Sequence, residues 1–405
     1  MYSKKSQSAR GAKPLLLAGA AAICVAGAAQ PAWADPASSF CTVTGDITEV
    51  ACDSGNVQHT ANSGDTTLDV TGGDLPDGNI NYNAKNSAEG PLGMSLTVND
   101  TTVNSTTYGG INIYSEVEDT TIDVTLGDDV EISTTAGFGG LWIRNEDSGD
   151  ITVESGATVS ANIADEDAAA ITATSNYGSV SVTNTGTVTG TNNRGIYADG
   201  NGKVDDYVTS SIVNSGTVTA NQAGIRAVGR FATVSIENTG DVTSEEKQAL
   251  IAWSQTGDVN ITNSGDLTAT VNAGIWGSAD KGDTTIVNNG NIDAAKGIYE
   301  DAGYHDDGDG FGDVFITNTT RITATGSEGI YASAYDGDIE IDNSGNVTGA
   351  TDGISADSLD GTVSIENTGT VRGANGIRTG AADTTITNSG TIATTGSGSA
   401  VIVGS

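Results

Sequence analysis

The chain is poor in most of what marks a catalytic or nucleic-acid-binding protein. Histidine occurs twice, as His59 and His305, cysteine three times and proline five times in 405 residues, and aromatic residues make up 5%. No Gly-x-Ser-x-Gly or Gly-Asp-Ser-Gly element is present to carry a serine nucleophile. Lys and Arg number 16 against 52 Asp and Glu, a net charge of −36. A surface this acidic repels nucleic acid and anionic lipid and favours cations. Such charge often accompanies disorder, but regular Val/Ile positions and the shortage of proline argue for a folded chain.

Only one long apolar run exists, and it lies at the start. Lys4, Lys5, Arg10 and Lys13 precede the apolar segment Leu15 to Ala29, and Ala32-Trp33-Ala34 offers a small-x-small cleavage site. This pattern reads as a secretory signal peptide over 1–34 rather than a membrane span, which needs ~20 apolar residues. Ile23 before Cys24 does not suit lipidation. The mature chain is expected to begin at Asp35, with 12 basic residues against 52 acidic ones. It is expected to be exported, to a cell surface or outer membrane or into the medium. Cys41 and Cys52 remain, and in an oxidising compartment they read as a small disulfide loop, CTVTGDITEVAC, within an N-terminal cap over 35–61.

The remainder repeats itself. GSVSVTNTGTVTGTNNRGIYA (178–198) recurs as ATVSIENTGDVTSEEKQALIA, GDVNITNSGDLTATVNAGIWG, GDTTIVNNGNIDAAKGIYE, GDIEIDNSGNVTGATDGISA and GTVSIENTGTVRGANGIRT. An Asn marks each unit: Asn184, Asn214, Asn238, Asn263, Asn288, Asn318, Asn343, Asn367 and Asn388. GGINIYS (109–115), GGLWIRN (139–145) and AAITATS (169–175) are weaker upstream copies. Within a unit the period is two, as in Val234/Ile236/Asn238 against Ser235/Glu237. Alternation over short β-branched runs bounded by Gly and Asn means strands. Each unit holds three: a DVxI run ending in the Asn, an xVT run, and a GIYA run. Three short strands without a crossover helix predict a right-handed three-stranded parallel β-helix of about a dozen rungs over 62–405. The parity turns the Asn column inward, where stacked amides can satisfy one another and the turn backbone. The Gly two residues later is expected to supply a positive φ. Asn318-Thr319-Thr320 departs from that pattern, so its turn is expected to differ.

A leader followed by ITNSGTI, IENTGTV and VTNTGTV rungs with GIYA strands resembles the passenger region of bacterial autotransporters. That resemblance, over about 35–405, implies an exported β-helix carried outward by a C-terminal translocating β-barrel, which this chain does not include. It implies a noncatalytic adhesion or interaction stalk, with a glycan or a host or cell-surface protein as partner. The last stretch, SAVIVGS, presents an open strand edge and suggests self-association there. The competing function is a β-helical polysaccharide-acting enzyme, a lyase or glycosidase. A carboxylate cluster on one outward sheet face would favour the enzyme, and a continuous Ser/Thr face the stalk.

Two features carry candidate chemistry. The first is YHDDGDGFGD (304–313), whose Asp307, Asp309 and Asp313 resemble the ligands of extracellular calcium loops. A second enlarged unit carries ADGNGKVDD, with Asp199, Asn201 and Asp205 at comparable spacing, and both follow a GIY strand. Weak structural calcium and a solvated acidic bulge are both open readings. The second feature is the outward column after each GI. It includes Trp142, Tyr197, Trp276, Tyr299 and Tyr331, suited to sugar rings or a partner surface, or to shielding the sheet. No catalytic residue and no organic cofactor is indicated.

Overall fold

The computed structural model describes residues 41–52, 56–163, 165, 168–204, 207–302 and 312–404. The leader, Asp205, Asp307 and Asp309 therefore lie outside the described residues. What is described is all-β, with no helix, and its parallel strands stack as a solenoid of about 13 turns. Each turn has three strands, and each strand pairs with its counterpart one turn later. Val259–Asn263 pairs with Thr284–Asn288, and Leu267–Ala279 pairs with Ile292–Ala302. At ~4.8 Å per turn the stack is roughly 60 Å long.

Parallel stacking starts at Asn56, opposite Asn79, slightly before the expected boundary at 62. Ahead of it, Cys41–Cys52 runs antiparallel along Asn56–Pro76 and covers an edge that would otherwise be unpaired. Cys41 lies opposite Val70 and Cys52 opposite Val57, at the two ends of this strand. Their side chains are not among those described, so the disulfide stays an expectation.

Alternation decides the core. In the first strand of successive turns Val234/Ile236, Val259/Ile261, Ile339/Ile341 and Val363/Ile365 are all buried, while the residues between them face out. The third strand contributes an inner column of small residues, among them Ala198, Ala227, Ala252, Gly277, Ala332 and Ala356. In this column Glu300 stands between Gly277 and Ala332.

The Asn column forms a continuous amide ladder. Asn184 Nδ2 donates to Asn214 Oδ1 at 2.8 Å, Asn238 to Asn263 at 2.8 Å, Asn263 to Asn288 at 2.9 Å and Asn318 to Asn343 at 2.8 Å. The other steps, through Asn367 to Asn388, repeat this contact. The second amide hydrogen goes to the carbonyl two residues on, as in Asn263 Nδ2 to Gly265 O at 2.9 Å. A buried amide is thereby satisfied from both sides, which removes a penalty of ~1–3 kcal/mol per turn.

Two turn expectations are corrected. Among the described residues positive φ is confined to the stretch from Gly64 to Gly149, so none of the glycines after the ladder Asn uses it. They are required by space instead: a β-carbon on Gly265 would collide with the Gly240 carbonyl oxygen, and one on Gly290 with that of Gly265. Nor does the Asn-Thr-Thr turn break the pattern. Asn318 Nδ2 still donates to Thr320 O at 3.0 Å, and the Thr320 hydroxyl donates to Gly290 O at 2.6 Å. The extra side chain is accommodated by bonding to the oxygen it would otherwise crowd.

Candidate functional site

The third face concentrates the side chains that differ most from turn to turn. Its register runs Trp142, Thr172, Tyr197, Arg226, Ile251, Trp276, Tyr299, Tyr331, Ser355, Arg378 in one outward column. All five aromatic residues expected to contact a ligand are in it, and all are half-buried. The ring faces of Trp142, Tyr197, Tyr299 and Tyr331 are engaged along the stack. Tyr299 and Tyr331 lie 4.6 Å apart and 16° from parallel, about one turn spacing. Trp142 stacks on Phe138 at 5.0 Å and on Tyr114 at 6.2 Å. The guanidinium groups of Arg194 and Arg226 lie 5.4 and 5.6 Å from the centre of the Tyr197 ring. These rings therefore shield the sheet with their faces and offer mainly edges and hydroxyls outward. Burial raises the Tyr299 hydroxyl to about 12, so it is a hydrogen-bond donor at any working pH.

A second outward column lies beside the first. Toward the C-terminal turns it reads Asp301, Ser333, Asp357, Gly380. Asp301 and Asp357 line a cavity of about 630 Å³ together with Tyr335, Leu359 and Arg378. Burial raises the pKa of both carboxyl groups. For Asp357 the Arg378 guanidinium, 3.9 Å away, works in the opposite direction. This is a pair of carboxylates on one outward face that was invisible as a cluster in the sequence, because some 56 residues separate them.

The two enlarged corners follow third-face strands, Arg194–Gly200 and Ile292–Ala302. Where described, their oxygens are already used. Asp199 accepts from Tyr197 Oη at 3.0 Å and from Asn201 Nδ2 at 2.8 Å, and Asn201 Oδ1 accepts the Arg230 amide at 3.0 Å. Burial raises the Asp199 carboxyl, offset by Tyr197, Arg226 and Asn201. Asp313 Oδ1 accepts the Asp338 amide at 2.8 Å, while its own amide donates to Asp283 Oδ1 at 2.9 Å. It belongs to an outer ladder, Asp258, Asp283, Asp313, Asp338, in which each carboxylate caps the next turn's backbone. The signal for this ladder was the Gly-Asp that opens these four units. Among the described residues no group of three or more His, Cys, Asp or Glu is arranged to hold a metal ion.

Sequence reasoning also passed over Glu300. It is fully buried, and neither carboxyl oxygen has a hydrogen-bond partner. Burial holds its pKa well above the usual carboxylate range, with the Thr284 hydroxyl and the Ser333 backbone beside it offsetting only part. The signal was one letter: GIYE where other units read GIYA. Compared with protein-family models, with curated proteins and with solved structures, the chain matches none.

Proposed function

We propose that this chain is a noncatalytic interaction stalk of autotransporter-passenger type, exported and displayed at a cell surface or released, with its third face as the contact surface. The observation behind this reading is the contrast between the repeated interior of the turns from Asn184 onward and their variable outer column. The Asn ladder and Val/Ile core repeat turn after turn, while the third face changes between aromatic, basic and acidic side chains. A rigid rod roughly 60 Å long separates a contact surface from its point of attachment. The test is expression of the full chain, with its leader, in a diderm bacterium. Antibody and protease should reach the solenoid on intact cells or in the medium, and purified chain should bind glycan-bearing host cells. Retention in the cytoplasm, or no cell binding above that of an unrelated acidic protein, overturns the reading.

One observation favours the second reading, a polysaccharide-acting enzyme. Asp301 and Asp357 stand two turns apart, ~9–10 Å along the stack, on the wall of one cavity of about 630 Å³. That separation is close to that of an inverting glycosidase pair. Release of reducing ends from acidic or neutral polysaccharides, abolished by Asp357→Asn, would establish it.

A further inference from the structure

We propose that the corner after the third-face strand Arg194–Gly200 binds a carboxylate-bearing sugar unit. This rests on the reading that the chain contacts glycans. Three successive corners build the site. Tyr177 comes from one, Asn201 and Lys203 from the next, and Arg230 and Phe231 from the third, around a cavity of about 410 Å³. Backbone and amide contacts fix the frame: the Asn201 amide donates to Ser175 O at 3.0 Å, and the Arg230 amide donates to Asn201 Oδ1 at 3.0 Å. Arg230 Nε donates to Gln255 Oε1 at 2.8 Å, which holds the guanidinium at the rim.

Charge decides the ligand. The chain carries 52 acidic residues against 16 basic ones, yet no carboxylate is among the described residues lining this cavity. Instead, it presents two cation–ring pairs. The Lys203 ammonium lies 4.6 Å from the centre of the Tyr177 ring, and the Arg230 guanidinium lies 5.6 Å from that of Phe231. The neighbouring Asp199 is occupied by Tyr197 and Asn201. Tyr177, 43% exposed, offers apolar ring surface beside Lys203 to the C–H side of a pyranose. A neutral sugar would leave the cations unanswered, and a bare phosphate would leave the rings unused. A sugar with a carboxylate uses both.

The test titrates sialyllactose, with lactose as its uncharged counterpart, into the full chain by calorimetry and by NMR of the tyrosine resonances. Sialyllactose should bind more weakly as salt is raised, and lactose should not bind. Lys203→Gln with Arg230→Gln should weaken binding by about tenfold or more. Tyr177→Ala should weaken it as well, and Tyr177→Phe should not. These side chains are exposed or at the rim, so circular dichroism and thermal unfolding should be unchanged. Equal binding of lactose, affinity unaltered in the double variant, or no sialyllactose binding at millimolar concentration would each overturn the site. If cell binding survives in the double variant, only this site fails. Loss of surface display would instead overturn the wider reading.

Discussion

The turns before about residue 150 and those after it occupy the same fold by different means. At the position ending the first strand, the early turns carry Val70, Val98 and Leu126, all buried. Ser155 follows, and from Asn184 onward the slot is Asn in every turn. Among the described residues positive φ occurs only in the early turns, including Gly72 at 69° and Asp100 at 48°, each two residues after an apolar slot. Where an amide reaches the turn carbonyl, successive turns superpose closely enough that glycine stands between them at every such corner but that of Thr320. Where the slot is Val70 or Val98 the corner passes through a left-handed residue instead, whereas after Leu126 it does not. Interior polarity and corner geometry thus change over the same stretch, and the repeat is conspicuous only in the half that uses the amide.

The largest expected effect breaks this contrast at the glycines. Gly265→Ala should cost ~3 kcal/mol or more, because the new methyl meets the Gly240 carbonyl. Gly72→Ala meets no atom and should cost ~1–2 kcal/mol through its left-handed φ alone, and Gly72→Asn less. Urea unfolding of the three variants checks the order, and equal losses at Gly265 and Gly72 would refute it.

Exchanging the slot residues comes next. Leu126→Asn should cost about 2–3 kcal/mol, since Val98 offers the new amide no partner. Asn263→Leu should cost ~1–3 kcal/mol by stranding Asn238, Asn288 and the Gly265 carbonyl. Thermal unfolding that is indifferent to either change would mean the slot does not care about polarity.

Glu300 sharpens the comparison from within the later half, where the ladder amides donate to one another and to the turn carbonyls. Its folded pKa lies above the unfolded one because burial disfavours the charged form. Stability from this group is thus full below the unfolded pKa, near ~4.3, and falls as pH rises toward the folded value. Glu300→Gln should remove that loss, so its unfolding midpoint should overtake the wild type's increasingly from pH 4 to pH 8. Parallel pH profiles for the two proteins would contradict it. The smallest effect is expected at the junction of the halves. Asn184 Oδ1 and Ser155 Oγ are both buried without a partner, and Ser155→Asn should extend the ladder and stabilise by ~0.5–1.5 kcal/mol.

Local rules made much of this protein legible. Alternation within DVxI and xVT runs determined strands and buried faces, since neighbouring side chains in a strand must point opposite ways. Recurrence of Asn at one parity determined the ladder, because a buried amide demands a partner and an identical neighbour supplies one. Tertiary stacking alone decided the rest. It made the turn glycines a matter of clearance between turns, and gave the Asp313 carboxylate a backbone amide of the next turn to cap. It also stacked Tyr299 on Tyr331 and brought Asp301 within two turns of Asp357. Each of these depends on what lies one turn away, some 20 to 30 residues distant in sequence but ~4.8 Å distant in space, a distance no local pattern encodes.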